Sequence, residues 1–201
     1  MSENGLKLAV NVFTGDQTGL YLDRRAIRQR IAELAPGQAV LDLCSYSAAC
    51  GLSAARAGAA GVTAVDNSAQ AMGLARKSLE LNGLNAFNCK LVKDDATRFL
   101  NQDETRYDLI ILDPPAGEEE DWVKLNALAL RHLKPGGRLF SLVSQHSNLS
   151  EDVLLRIVNK AALQAERQIR VIESLRQGPD FPYLPGHPEG RNLFGALIFA
   201  D

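Results

Sequence analysis

The chain has 201 residues, 46% hydrophobic and 23% charged, which suits one domain with a sizeable core and leaves too little for two. Lys plus Arg number 22 and Asp plus Glu 24, so the net charge of −2 gives no global attraction to a polyanion, and any basic surface has to be local. Three cysteines without paired spacing predict free thiols in a reducing, cytoplasmic setting, and neither a signal peptide nor a membrane span is expected from MSENGLKLAV or from any later window.

Leu6 to Phe13 alternates apolar and polar residues in its first half and runs into Thr14-Gly15-Asp16, which predicts one arm of a hairpin. Residues 1–23 are expected to form this N-terminal hairpin or a linker remnant, and 24–201 the main domain. From about Arg24, Ile27, Ile31 and Leu34 recur at helical spacing until Pro36-Gly37 stops the helix. Ala39 to Leu43 is short and nearly all apolar, as a strand buried on both faces should be. An Ala-rich helix to about Ala57 follows, then a strand Gly61–Val65 and a helix Ser68–Leu81 with Ser68 as N-cap. A strand from about Asn88 to Val92 and a short helix over Ala96–Leu100 lead to the strand Tyr107–Leu112, cut off by Asp113-Pro114-Pro115. Trp122, Leu125, Ala129 and Leu133 share a helical face, Lys134-Pro135-Gly136-Gly137 predicts a turn, and Arg138–Val143 a further strand. Val153, Ile157 and Ala161 mark another helix, and the strands Gln168–Ile172 and Asn192–Phe199 flank an irregular, Pro-rich Gly178–Gly190. This alternation predicts right-handed crossovers and a doubly wound, mostly parallel α/β sheet, which binds ligands at the carboxyl ends of its strands.

Asp42, in the first of these strands, leads into Leu43-Cys44-Ser45-Tyr46-Ser47-Ala48-Ala49-Cys50-Gly51, a run of small residues that lets a cofactor approach the backbone. Neither G-x-G-x-x-G nor the phosphate-loop pattern with its lysine is present, which argues against NAD and nucleoside triphosphates. Asp66 ends the second strand, where a carboxylate can accept two hydrogen bonds from ribose hydroxyls or cap the next helix. Asp94-Asp95-Ala96 can likewise meet an adenine edge or cap, and Asp113-Pro114-Pro115 makes a rigid turn. Acids or small-residue loops at four successive strand ends favour one shared site over four separate caps. No metal is expected.

In the order and spacing of Gly15 to Arg25, Val40 to Tyr46, Val65 to Ser68, Leu81 to Leu84, Asp108 to Pro115, Pro135-Gly136-Gly137 and His187 to Gly190, the chain resembles a known family nearly end to end. It is similar to the catalytic domain of class I S-adenosylmethionine-dependent methyltransferases, specifically bacterial large-subunit ribosomal RNA cytosine methyltransferases of the 5-methylcytosine type. The resemblance implies a seven-stranded Rossmann-like sheet, S-adenosylmethionine as cofactor, and RNA as partner, with base methylation during rRNA processing as the activity. It also implies site residues. The loop with Asp42, Ser45, Tyr46, Ala48 and Gly51 would hold the methionine part of the cofactor, Asp66 with Asn67 beside it the ribose, and Asp95 and Ala96 the adenine. Asp113, Pro114 and Pro115 would face the target base. The family's usual N-terminal RNA-binding domain would precede the hairpin, and a piece of a longer enzyme and a stand-alone relative are both open.

Several features depart from that pattern. Ala48 and Ala49 replace the family's usual glycine pair, and a positive φ at either would cost about 1 kcal/mol. Carbon-5 methylation of cytosine needs a thiolate that adds to the ring, and the segment that supplies it reads Ser141-Leu142-Val143-Ser144-Gln145-His146-Ser147 here. Cys44, Cys50 and Cys89 are expected to be small buried hydrophobes, and His146 is either a general base or a bystander. Glu118-Glu119-Glu120-Asp121 would repel a phosphate backbone, or serve the start of a helix. Arg24, Arg25, Arg28 and Arg30, and later Arg167, Arg170 and Arg176, are candidates for phosphate contacts or for a solvated face. Transfer to a ring carbon, to a nitrogen or to a small molecule therefore stays open, as does a non-catalytic cofactor- or RNA-binding domain.

Overall fold

A computed structural model describes residues 1–15, 19–144, 150–187 and 190–201. In chain order, β1 (Ser2–Glu3) and β2 (Leu6–Lys7) form a hairpin, and a 3-10 turn over Leu22–Arg24 leads into α1 (Arg25–Leu34). Then come β3 (Ala39–Leu43), α2 (Ala49–Arg56), β4 (Gly61–Asp66), α3 (Ala69–Leu81), β5 (Cys89–Lys93) and α4 (Ala96–Gln102). The chain continues with β6 (Tyr107–Leu112), α5 (Glu119–His132), β7 (Leu133–Ser144), α6 (Glu151–Ala165), β8 (Ile169–Arg176) and β9 (Leu193–Ala200).

Seven strands form one sheet in the order β5-β4-β3-β6-β7-β9-β8. β9 alone runs against both of its neighbours, so the doubly wound, mostly parallel expectation holds. Side chains alternate along each strand between two cores. Leu41 and Leu43 of β3 face the cluster built with α4, α5 and α6, whereas Val40 faces the cluster built with α1, α2 and α3.

The hairpin lies earlier in the chain than the alternation of Leu6–Phe13 suggested. Asn4 (φ 48) and Gly5 (φ 77) take the two left-handed positions of a two-residue turn whose twist matches paired strands, and Thr14 and Gly15 lie in a separate loop. Asp16, the last residue of the expected turn, lies outside the described residues. Leu6, Leu8 and Leu20 join the α1–α3 core, and the Asn82 side chain bridges Lys7, accepting from its N–H at 2.8 Å and donating to its carbonyl at 2.6 Å. Farther along, α5 ends at His132, so Leu133 belongs to β7 rather than to the helical face. Lys134-Pro135-Gly136-Gly137 forms an irregularity within that strand, with Gly136 at φ +79 and the register to β6 shifted. Among the described residues no helix is long and apolar enough to cross a membrane.

Candidate functional site

Strand register brings the expected residues together. Leu43 is level with Val65 on one side and Leu112 on the other, and Asp66 is level with Lys93. The residues just past four neighbouring parallel strands, or ending them, are therefore Asp94-Asp95, Asp66, Cys44-Ser45 and Asp113, in that order across the sheet. Three strand spacings separate the first from the last, roughly 14 Å. These tips line an open cavity of about 670 Å³, within the ~300–1,000 Å³ of small-molecule sites. Asp42, Ser45 and Tyr46 line it, as do Asp66, Asn67, Asp95 and Ala96, and at the far end Asp113, Pro114 and Pro115. Ala48 and Gly51 do not. Ala48 is fully buried, and Gly51 lies behind the wall, where a Cβ would come within 3.0 Å of Asp42 Oδ2.

The loop after β3 is held in an unusual backbone path. Cys44, Tyr46 and Ala48 all have positive φ (54, 49 and 56) without being glycine. Three hydrogen bonds keep them there. The Ser45 N–H donates to the Val65 carbonyl at 3.0 Å, the Tyr46 N–H to Asp66 Oδ2 at 2.8 Å, and the Ala48 N–H to the Ser45 carbonyl at 2.8 Å. Asp66 Oδ1 accepts from the Ser68 N–H at 2.9 Å, so each oxygen of Asp66 has one backbone partner and a second lone pair left for a ligand hydroxyl. The cap of α3 is Ser68, whose side chain accepts from the Ala71 N–H. At α4 the bland alternative is real, because Asp95 is the N-cap and accepts from Arg98 N–H, while Asp94 pairs with the Arg98 side chain.

Asp42 is buried, and its Oδ2 accepts from Gly51 N–H at 2.7 Å. Burial pushes its carboxyl up to about 7, against the pull of that N–H, and the like charges of Asp113 and Asp66 add to the rise. Among the described residues, Ser45 Oγ is the buried side-chain polar atom that finds no partner in the protein. An orphaned hydroxyl, the carboxylates of Asp42, Asp66, Asp95 and Asp113, and small residues at one concave edge fit a cofactor carrying ribose hydroxyls and positive charge.

The expected cost of alanine in this loop falls on Ala48 and not on Ala49, which is helical. Ala48→Gly should relieve about 1 kcal/mol of left-handed strain but give up a buried methyl worth about 0.8 kcal/mol, leaving stability within about 1 kcal/mol of the parent. Ala49→Gly has no strain to relieve and should cost about 1–2 kcal/mol. Urea unfolding of the two variants checks this, and an Ala48→Gly loss as large as that of Ala49→Gly would refute it.

Asp113 is held by Arg24, a residue that the sequence left open between a phosphate contact and a solvated face. Arg24 Nε donates to Asp113 Oδ2 at 2.9 Å and Nη2 to Oδ1 at 3.0 Å, a forked pair, while Nη1 reaches Asp23. Asp23 also accepts from the Asn192 side chain at 2.8 Å, and Arg24 stacks over the Tyr21 ring. Arg24 is 3% exposed, so it offers nothing to a phosphate. The other arginines of that cluster are engaged as well. Arg28 is buried against Glu3 (2.6 and 2.7 Å) and the Tyr21 carbonyl, Arg30 pairs with Glu173 and Glu33, and Arg25 pairs with Asp180. Arg167 donates to the carbonyls of Leu130, Leu133 and Lys134, Arg170 pairs with Asp201, and Arg176 pairs with Glu151. Each of these arginines has an acid or a carbonyl in reach; Arg24 and Arg28 are buried and belong to neither alternative, whereas Arg25 and Arg170, half or more exposed, lie on a solvated face.

Beyond the Pro pair, Trp122 Nε1 donates to the Pro115 carbonyl at 3.1 Å and fixes the turn. The acidic run supplies the first turn of α5, and Glu119 pairs with Lys160 at 2.6 Å and Arg156 at 3.6 Å. Tyr21, Arg24 and Trp122 thus line the cavity without having been assigned to it, and no local pattern links Arg24 to an acid 89 positions away. Burial pushes the Cys44 and Cys89 thiols up to about 12 and raises that of Cys50 too, so none is a ready thiolate. Gln145, His146 and Ser147 lie outside the described residues.

Comparison with known proteins places this geometry. A family model described as S-adenosylmethionine-dependent methyltransferase matches residues 1–194. The chain is similar to ribosomal RNA large subunit methyltransferase I of Erwinia tasmaniensis, 36% identical over 207 residues, which cover 97% of this chain and 52% of that protein. The same-named protein of Shewanella frigidimarina is 36% identical over 209 residues, covering 98% and 52%. The chain spans about half the length of the curated relatives it matches. Among solved structures it is similar to SMU.776 in complex with SAH (TM-score 0.87, 26% identity, 98% of this chain and 54% of that one). S-adenosylmethionine is the cofactor of the matching family, and the chain belongs to the S-adenosylmethionine-dependent methyltransferases.

Proposed function

We propose that the chain methylates a base of RNA, with S-adenosylmethionine lying across the four strand tips and the target base entering beside Asp113. The observation that carries this reading is the order of the tips. Asp95 and Ala96 stand where an adenine edge would lie, Asp66 has a spare lone pair on each oxygen for the ribose hydroxyls, and Asn67 is beside it. Ser45 and Tyr46 with Asp42 beneath them would take the amino-acid part, and Ala48 and Gly51 would act from behind by shaping that loop. Bound there, the cofactor supplies an electrophilic methyl group. The protein's contribution is alignment, through the rigid Asp113-Pro114-Pro115 turn that Arg24 and Trp122 hold from two sides. RNA as substrate is supported by the names of the curated relatives, and a cytoplasmic setting goes with it.

Asp66→Ala should weaken S-adenosylmethionine binding by about 1–3 kcal/mol, because ribose hydrogen bonds to a carboxylate are lost and the Tyr46 and Ser68 amides lose their acceptor. Titration calorimetry measures it. Unchanged affinity would move the ribose elsewhere, and no heat from the parent protein at millimolar ligand would remove the cofactor site itself.

A further inference from the structure

We propose that the methyl acceptor is a base nitrogen that carries a hydrogen, and that Asp113, locked by Arg24, is the hydrogen-bond acceptor that orients it. The inference rests on the RNA methyltransferase reading and concerns only which atom is methylated.

Two observations carry it. The first is what the site cannot supply. Adding a methyl group to a pyrimidine carbon requires a nucleophile to attack the ring first, and a thiolate suits that task. The chain has three cysteines. Cys89 lies in β5 and is fully buried, while Cys44 and Cys50 are in the cavity wall, where burial and the surrounding carboxylates oppose ionisation.

The second is what Asp113 is built to do. It stands level with the start of the β3 loop, on the strand next to it, and remains 21% exposed to the cavity. Each of its oxygens takes one arm of the Arg24 guanidinium, at 2.9 and 3.0 Å, and keeps one lone pair. A proton placed on either oxygen would break a forked pair whose other half is 3% exposed and already shared with Asp23. Asp113 is therefore suited to accept a hydrogen bond and unsuited to carry a proton away. That argues against Asp113 as the base that would turn a ribose hydroxyl into an alkoxide, a step in which the hydroxyl must lose its proton to become nucleophilic. It fits a nitrogen whose N–H is held by Asp113 while its lone pair faces the donor. The nitrogen lone pair forms the new N–C bond, the C–S bond breaks with its electron pair passing to sulfur, and the nitrogen then releases its proton to water.

The test uses the full chain with methyl-labelled S-adenosylmethionine and unmodified ribosomal RNA, naked and assembled into large subunits. The RNA is digested to nucleosides and the labelled product identified by mass spectrometry against N-, C- and O-methyl standards. Label on a base nitrogen is the expected result. Label on a ring carbon or on a ribose oxygen overturns this inference and leaves the RNA reading standing, whereas no label in RNA overturns the RNA reading and this inference with it. Asp113→Asn, which substitutes a half-donor amide, should lower kcat at least tenfold while the calorimetric Kd for S-adenosylmethionine stays within threefold. A loss of cofactor affinity matching the loss of rate would assign Asp113 to the cofactor and overturn its role toward the base.

Discussion

Replacing Arg28 with methionine should destabilise the fold by about 3–5 kcal/mol, the cost of leaving one member of a buried ion pair alone. Arg28 is 2% exposed and Glu3 7%, and the two are joined by a forked pair of 2.6 and 2.7 Å, with a third Arg28 bond to the Tyr21 carbonyl. The methionine stem would keep most of the packing, so the loss would come from the stranded Glu3 carboxylate and the unsatisfied carbonyl. Pairing the change with Glu3→Gln removes the charge and should recover about half of the loss. Denaturant midpoints of the two single variants and the double variant measure this coupling. A single-variant cost below 1 kcal/mol would show that the hairpin is not anchored through this pair. Because Arg28 also lines the cavity at the strand tips, the same variant should loosen Tyr21, whose ring meets that of Tyr46 edge-on at 5.6 Å.

The ligand-free protein should lose stability as pH rises from about 4 to about 7, and Asp42 is the cause. Its carboxyl has an ordinary value of 3.8 in the unfolded chain and is raised to about 7 by burial in the fold. Between those limits the folded chain holds a proton that the unfolded chain has released. Stability is then fully present below the lower limit and declines through the upper one, by up to about 4 kcal/mol for such a shift. Asp94, Asp108 and Glu119 are lowered instead, by Arg98, Lys134 and Lys160, so their contributions are lost only when pH falls below the ordinary carboxylate range. Asp42→Asn keeps an acceptor for Gly51 N–H and has nothing to ionise. Urea unfolding at pH 5 and pH 8 should show a clear drop for the parent and a nearly flat response for the variant, and equal slopes would mean that another group dominates.

Much of the architecture could be read from local pattern. The apolar runs at Ala39–Leu43 and Tyr107–Leu112 became the central strands, and Ser68 became the cap of α3, because burial on both faces and a hydroxyl before a helix leave short-range signatures. The hairpin was misplaced because the alternation of Leu6–Phe13 outweighed the two-residue Asn4-Gly5 turn, a shorter but more specific signal. The strand-end acids were found because a parallel sheet gathers its tips, so position along the chain maps onto position in the cavity. The burial of Arg24 and Arg28 was not legible, for the converse reason. Whether Arg24 meets a phosphate or Asp113 depends on a partner that only the closed fold brings near, and nothing within a few residues of either one announces it.

The position of β9 has a bearing on how the protein is made. It pairs with β7 along Gly137–Ser144 and is also the sheet neighbour of β8, yet it follows both in sequence. During synthesis, β7 therefore waits with an open, apolar edge that includes Leu139, Phe140 and Leu142, and β8 has nothing in the sheet to hold it until Leu193–Ala200 arrives. A nascent chain stalled or cleaved ahead of Leu193 would expose a ready template for strand addition by another molecule. Aggregation of such products, rather than gradual loss of helicity, is the expected form of failure.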